Sequence, residues 1–174
     1  DPEGDLEWER SYGTVNDIAG SLTPTPRGEI LLAGFRGDGR LSPEYDARLL
    51  KLSRYGSVLW DRTFDESAND QAHAAIEADN GDIVFCGISG GTTALWRADE
   101  AGNRIWKRTY GGKHAAGVFQ LADGGFILAG TSYDNQVGGY QIYLVGTDAN
   151  GESVWESEEG GPYWELSRSM IRAD

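Results

Sequence analysis

The residues with the clearest capacity for chemistry are the two histidines, His73 and His114, together with Asp17 and Asp70, which precede similar stretches of chain. Imidazole nitrogens and carboxylate oxygens that converge can hold a cation or move protons. Neither histidine has a close sequence partner, however, so neither forms a metal signature, and no metal site is expected. Asp134-Asn-Gln-Val-Gly-Gly139 lacks the alternating oxygens and terminal Glu of an EF-hand loop, and a hairpin loop accounts for it. Gly13-Thr-Val-Asn16 and Gly111-Gly-Lys-His114 resemble phosphate cradles, but no helix follows either to supply a dipole. There is no Gly-x-Ser-x-Gly elbow and no convincing Ser/His/Asp set, so the expectation is a protein without catalysis and without a cofactor. Cys86 is the single cysteine, which excludes an internal disulfide; its apolar setting, Ile83-Val-Phe-Cys-Gly87, predicts a buried, inert thiol. Trp96 and Trp164 have the ring area to stack on a sugar face, with ordinary packing as the simpler reading.

These residues are carried on a repeat. Four segments share a Gly-x-x-x-Trp core: Gly4 to Trp8, Gly56 to Trp60, Gly102 to Trp106 and Gly151 to Trp155. Successive tryptophans lie 46 to 52 residues apart. Three copies continue alike, as Trp8-Glu-Arg-Ser-Tyr12, Trp60-Asp-Arg-Thr-Phe64 and Trp106-Lys-Arg-Thr-Tyr110, whereas Trp155-Glu-Ser-Glu-Glu159 has no following aromatic. Glycine-bounded apolar runs, Gly28–Gly34, Gly81–Gly87 and Gly124–Gly130, are too short for helices and read as fully buried strands. Partly alternating segments beginning near Tyr45, Thr93 and Tyr140 precede the later Gly-x-x-x-Trp cores, and segments beginning near Asp17, Asp70, His114 and Trp164 precede the apolar runs or follow the last core.

One unit is therefore four antiparallel strands with tight turns. Units of four strands at this period are the sign of β-propeller blades. The fold class predicted is all-β, with three complete blades at about 17–64, 70–110 and 114–158 and lone terminal strands at 4–12 and 164–173. Glycine supplies the positive φ of the turn before the fourth strand, and the tryptophan four residues later is placed to cover the seam to a neighbouring unit. Asp99 and Asp148, three residues before Gly102 and Gly151, are placed to cap that turn. Asp17, Asp70, His73 and His114 fall on first strands, which would line a central channel and make them its binding candidates.

The motif resembles that of the quinoprotein-type β-propellers, in which Asp-x-x-Gly-x-x-x-Trp docks one blade on the next. Asp99-Glu-Ala-Gly102-Asn-Arg-Ile-Trp106 and Asp148-Ala-Asn-Gly151-Glu-Ser-Val-Trp155 carry the likeness. Asp123-Gly-Gly-Phe-Ile-Leu-Ala-Gly130 and Trp106-Lys-Arg-Thr-Tyr-Gly-Gly112 are similar to repeats of secreted archaeal and bacterial propellers. The resemblance implies a module acting outside the cell or at its surface, for binding or scaffolding. A lectin-like carbohydrate binder is one alternative, and a quinoprotein-like oxidoreductase or a hydrolase is the other. Two unmatched terminal strands imply completion of the ring by a second copy, a homodimer joined through those strands, or a piece of a longer chain. The opening residue Asp1 fits a processed or excised chain.

Charge narrows the partners. Twenty-eight acidic side chains against fifteen basic ones give a net charge of −13, and only Lys51, Lys107 and Lys113 are lysines. Such a surface repels nucleic acid and anionic lipid, and no apolar run is long enough to insert in a membrane. A protein or carbohydrate ligand remains. Acidic excess with scarce lysine also points to a salt-adapted source, in which screening relieves self-repulsion. Raising salt from 0.01 M to 1 M shortens the screening length from about 30 Å to about 3 Å, so the melting temperature should climb across that range. A flat or falling melting curve series, followed by circular dichroism, would refute the salt-adaptation argument.

Overall fold

The computed structural model describes residues 5–13, 16–37, 44–134 and 138–160. Among them are twelve strands and no helix, hence none long and apolar enough to cross a membrane. The strands form three separate four-stranded sheets, each an antiparallel meander of consecutive strands. The first contains β1 (Asp17–Pro24), β2 (Ile30–Gly37), β3 (Tyr45–Leu52) and β4 (Val58–Phe64). The second contains β5 (Gln71–Glu77), β6 (Ile83–Ser89), β7 (Thr92–Ala98) and β8 (Arg104–Tyr110). The third contains β9 (His114–Gln120), β10 (Phe126–Asp134), β11 (Gly139–Thr147) and β12 (Ser153–Glu159).

The glycine-rich composition follows from the turns. Each first-to-second and third-to-fourth connection closes with a glycine N–H donating to the carbonyl three residues earlier, from Gly28 to Thr25 through to Gly151 to Asp148. All six of those glycines have positive φ, which L side chains avoid. The two-residue β6–β7 link, Gly90-Gly91, has positive φ at both positions, the arrangement that matches hairpin twist.

The sheets pack face to face in chain order. Leu31, Ala33, Ala47 and Leu49 of the first sheet meet Ile83, Phe85, Ala94 and Trp96 of the second. The opposite face of the second sheet, Val84, Cys86 and Leu95, meets Phe126, Leu128, Tyr143 and Val145 of the third. The middle sheet is covered on both faces, and β6 is accordingly buried from Ile83 to Gly87. The full burial expected of the other two apolar runs is not observed. Leu32 and Ile127 are half-buried, because their side chains point away from the middle sheet.

The segment expected as a lone strand, 4–12, is also different. Residues 5–12 belong to no sheet among the described residues, and Gly4 lies outside those residues. The segment instead reaches the first sheet through Trp8, Arg10 and Tyr12. The expected last strand, 164–173, lies outside the described residues as well.

Each first strand is irregular at the same place. The register slips at Gly20 in β1, at His73 in β5 and at Ala116 in β9, opposite Gly34, Gly87 and Gly130. These bulges bend the strand over its neighbour so closely that a Cβ on Gly87 would stand 1.9 Å from the Gln71 carbonyl oxygen. The glycine that closes each apolar run is thus required by backbone approach, with ordinary φ. Gly87→Ala should therefore cost about 3 kcal/mol or more by forcing the strands apart, whereas Gly111→Ala, whose added Cβ meets nothing closer than 3.6 Å, should stay within about 0.5 kcal/mol. Urea unfolding of the two variants separates the cases.

Candidate functional site

Two tryptophan cores lock one sheet to the next, and a third fastens residues 5–12 to the first sheet. The Trp60 ring, on β4, lies against Gly102 in the β7–β8 turn of the next sheet, and its indole N–H donates to the Glu100 carbonyl at 3.0 Å. Trp106 lies against Gly151 in the same way, and Trp8 against Gly56. In all three locks an arginine two residues after the tryptophan flanks the same glycine: Arg10, Arg62 or Arg108. Tyr12 and Tyr110 complete two of them, their hydroxyls donating to the Gly56 and Gly151 carbonyls at 2.6 and 2.7 Å. Phe64, at the corresponding place, packs on Phe85 instead. Trp155 has no such turn among the described residues; it lies against Gly146 of its own sheet and is 43 % exposed.

The turns that receive these rings are capped by the acidic residues. Asp99 accepts from the Asn103 N–H at 2.7 Å and its side-chain amide at 2.9 Å, and Asp148 accepts from the Asn150 and Glu152 N–H groups. Those bonds to the ionised form hold both carboxyls below the usual range, the Asn103 side chain contributing most at Asp99 and the Glu152 backbone most at Asp148. Ser53 plays the same part in the first sheet, accepting from Ser57 N–H at 3.1 Å.

The four channel candidates divide. Asp17 sits in an ion-pair cluster with Arg36 and the buried Arg48, which also pairs with Asp61. Asp70 is fully buried and holds the β4–β5 loop, accepting from the Glu66 and Ser67 N–H groups and the Ser67 hydroxyl. Both are structural and stand apart from the histidines. The reason is register: measured from the bulge glycines, His114 corresponds to Gln71 and Ile18, one residue beyond the aspartates. A one-residue offset in a strand turns the side chain to the other face.

His73 and His114, by contrast, come together. Their ring centroids are 4.7 Å apart at 45°. They border a cleft of about 460 Å³ whose lining, among the described residues, comes from first strands: Gly20, Ser21 and Thr23 from β1, His73 to Ile76 from β5, and His114 with Ala116 to Val118 from β9. His73 Nδ1 donates to the Ala115 carbonyl at 2.9 Å, which fixes the proton there and leaves Nε2 with its lone pair. Nε2 faces the Gln71 side-chain oxygen at 3.2 Å, and the Gln71 amide N–H donates to Asn69. His114 Nδ1 and Ser21 Oγ are buried without a hydrogen-bond partner among the described residues. Burial keeps both rings neutral; it lowers His73, and together with the His73 ring it lowers His114 to about 4. No group of three His, Cys, Asp or Glu side chains gathers to hold an ion among the described residues.

Other candidates resolve simply. Cys86 is buried, with its thiol pushed well above the ordinary range by desolvation. Trp96 is completely buried and stacked on Phe85 at 5.0 Å, so it cannot meet a sugar. Trp164 and residues 135–137 lie outside the described residues, while Asp134 and Gly139 are the last ladder pair before the β10–β11 loop. A strand, β9, follows Gly111-Gly-Lys-His, which removes the phosphate-cradle reading. Gln71 and Ser21 were missed by sequence reasoning, although counting back from the closing glycines would have aligned Gln71 with His114.

No protein-family model matches the chain, and no curated protein matches it.

The locks should differ in strength. Trp60→Ala removes a half-buried ring and a hydrogen bond, and should cost about 2 kcal/mol, somewhat less than the ~3–5 kcal/mol of a fully buried aromatic. Trp155→Ala should cost under about 1 kcal/mol. Comparable losses in thermal unfolding would contradict the lock geometry.

Proposed function

We propose that the three sheets are blades of a β-propeller that works outside the cell as a non-catalytic binding or scaffolding module, completed by a second copy of the chain. The observation that carries this reading is the arrangement of β1, β5 and β9. Three first strands stand side by side around one cleft, while two of the fourth strands, β4 and β8, are each tied to the next sheet by a tryptophan. That is how blades fan out around an axis. The buried, inert Cys86 and the structural roles of Asp17 and Asp70 fit a module without catalysis.

Completion by another copy is supported at both ends of the stack. The first sheet carries Ile18 and Leu22, 49 % and 62 % exposed, and Trp155 lacks a receiving turn among the described residues. With residues 5–12 outside any ladder, the association we propose runs through these faces and the Trp155 lock more than through backbone pairing of terminal strands. A closed two-fold arrangement satisfies both ends at once. The acidic surface supports a salt-rich setting, and a protein or carbohydrate ligand for the cleft.

Light scattering coupled to size exclusion in high salt tests the assembly. Two chains per particle are expected at micromolar concentration, against 18.9 kDa for one chain, with dissociation on dilution. A particle of one-chain mass throughout would overturn the proposed ring.

A further inference from the structure

We propose that His73, His114 and Gln71 form a binding site for a divalent transition-metal ion, of the Cu²⁺ or Zn²⁺ type, within the first-strand cleft of a single chain. The inference goes beyond the proposed function and does not require ring closure. The chain has two histidines, and the fold brings both into contact from different sheets.

Geometry favours a shared ion. At Zn–N distances of about 2.1 Å, an ion lies roughly 3.2 Å from each ring centroid, so two imidazoles at 90–110° around it have centroids about 4.5–5.2 Å apart. The observed separation is 4.7 Å. His73 Nε2 and Gln71 Oε1 face each other at 3.2 Å, close enough for both to reach one ion. An ion about 2.1 Å from each would subtend roughly 100° at the metal, within the range that tetrahedral and octahedral sites share. The Nδ1 bond to the Ala115 carbonyl supplies the outer contact that sets tautomer and ring orientation in metal-bound histidines. His114 Nδ1, buried without a hydrogen-bond partner among the described residues, leaves a second imidazole nitrogen uncommitted in the ring that touches His73.

Two imidazoles and one amide oxygen suit borderline ions better than calcium or magnesium, which take oxygen sets. Cu²⁺ should bind most tightly by the Irving–Williams order. The remaining positions open on the cleft, where the unpaired Ser21 hydroxyl can bond a metal-held water or ligand. This places an exchangeable ligand, such as a carboxylate, on the metal.

The test uses chain without a histidine tag, in high salt with excess Mg²⁺ to occupy surface carboxylates. Cu²⁺ titration should show one saturable site at micromolar concentration, and its electron paramagnetic resonance should carry splitting from two ring nitrogens. His73→Ala and His114→Ala should each weaken binding by at least about tenfold and remove one nitrogen coupling. No saturable site, or spectra unchanged in both variants, would overturn the proposal. Should either variant fail to fold, wild-type nuclear magnetic resonance with Zn²⁺ decides. Movement of both histidine ring signals at one equivalent supports the site, and either ring staying still overturns it.

Discussion

The rest of the structure depends on the close seating of an indole ring on a glycine. Gly56, Gly102 and Gly151 combine two constraints at one residue: positive φ, and a neighbouring Trp or Arg atom 2.7 to 2.8 Å from where a Cβ would stand. Either alone would restrict the position; together they exclude every residue but glycine. The ring in turn can reach the turn only because the sheets face each other, so local turn chemistry and long-range packing specify one another. Ion pairs add to the same seams, Arg108 with Glu152 at 2.8 Å and Arg27 with Glu100. Being largely exposed, they contribute less than the apolar faces between which they run.

The bulges extend this logic to the cleft. By bending each first strand over a glycine of the second, they draw β1, β5 and β9 toward a common line and rotate His73 out of its ladder position. The histidine pair is thus a product of backbone geometry: one ring sits at a bulge, the other at the first residue of its strand. Neutral imidazoles in a cleft lined by small residues leave room beside them, whereas the charged groups on the same strands are spent on loops and ion pairs.

Much of the fold was legible because it rests on short spacings. Gly-x-x-x-Trp encodes turn and lock together, and the glycine-bounded runs encode the second strands, so strand order and approximate limits could be read directly. Burial was less legible. β2 and β6 look alike as sequences, yet Leu32 of β2 is half-buried while β6 is buried without a break from Ile83 to Gly87. The candidate site was half legible. His73 and His114 were selected by residue type, but Asp17 and Asp70 were aligned with them across loops of unequal length, which shifts the register by one and reverses the face. Nothing in the sequence distinguishes the buried Asp70 from an exposed one, because its partners Glu66 and Ser67 face it only after the loop has curled.

The scarcity of lysine acquires a practical meaning from where the three lie. Lys51 is almost wholly buried against Glu29, and Lys107 is held by Glu66 and Ser89. Lys113 alone stands in the open, on the short connection between β8 and β9. Among lysine amines, reagents such as activated esters would react first at that one place. A dye or a solid support attached there would present every molecule in the same orientation, with the point of attachment one residue from His114.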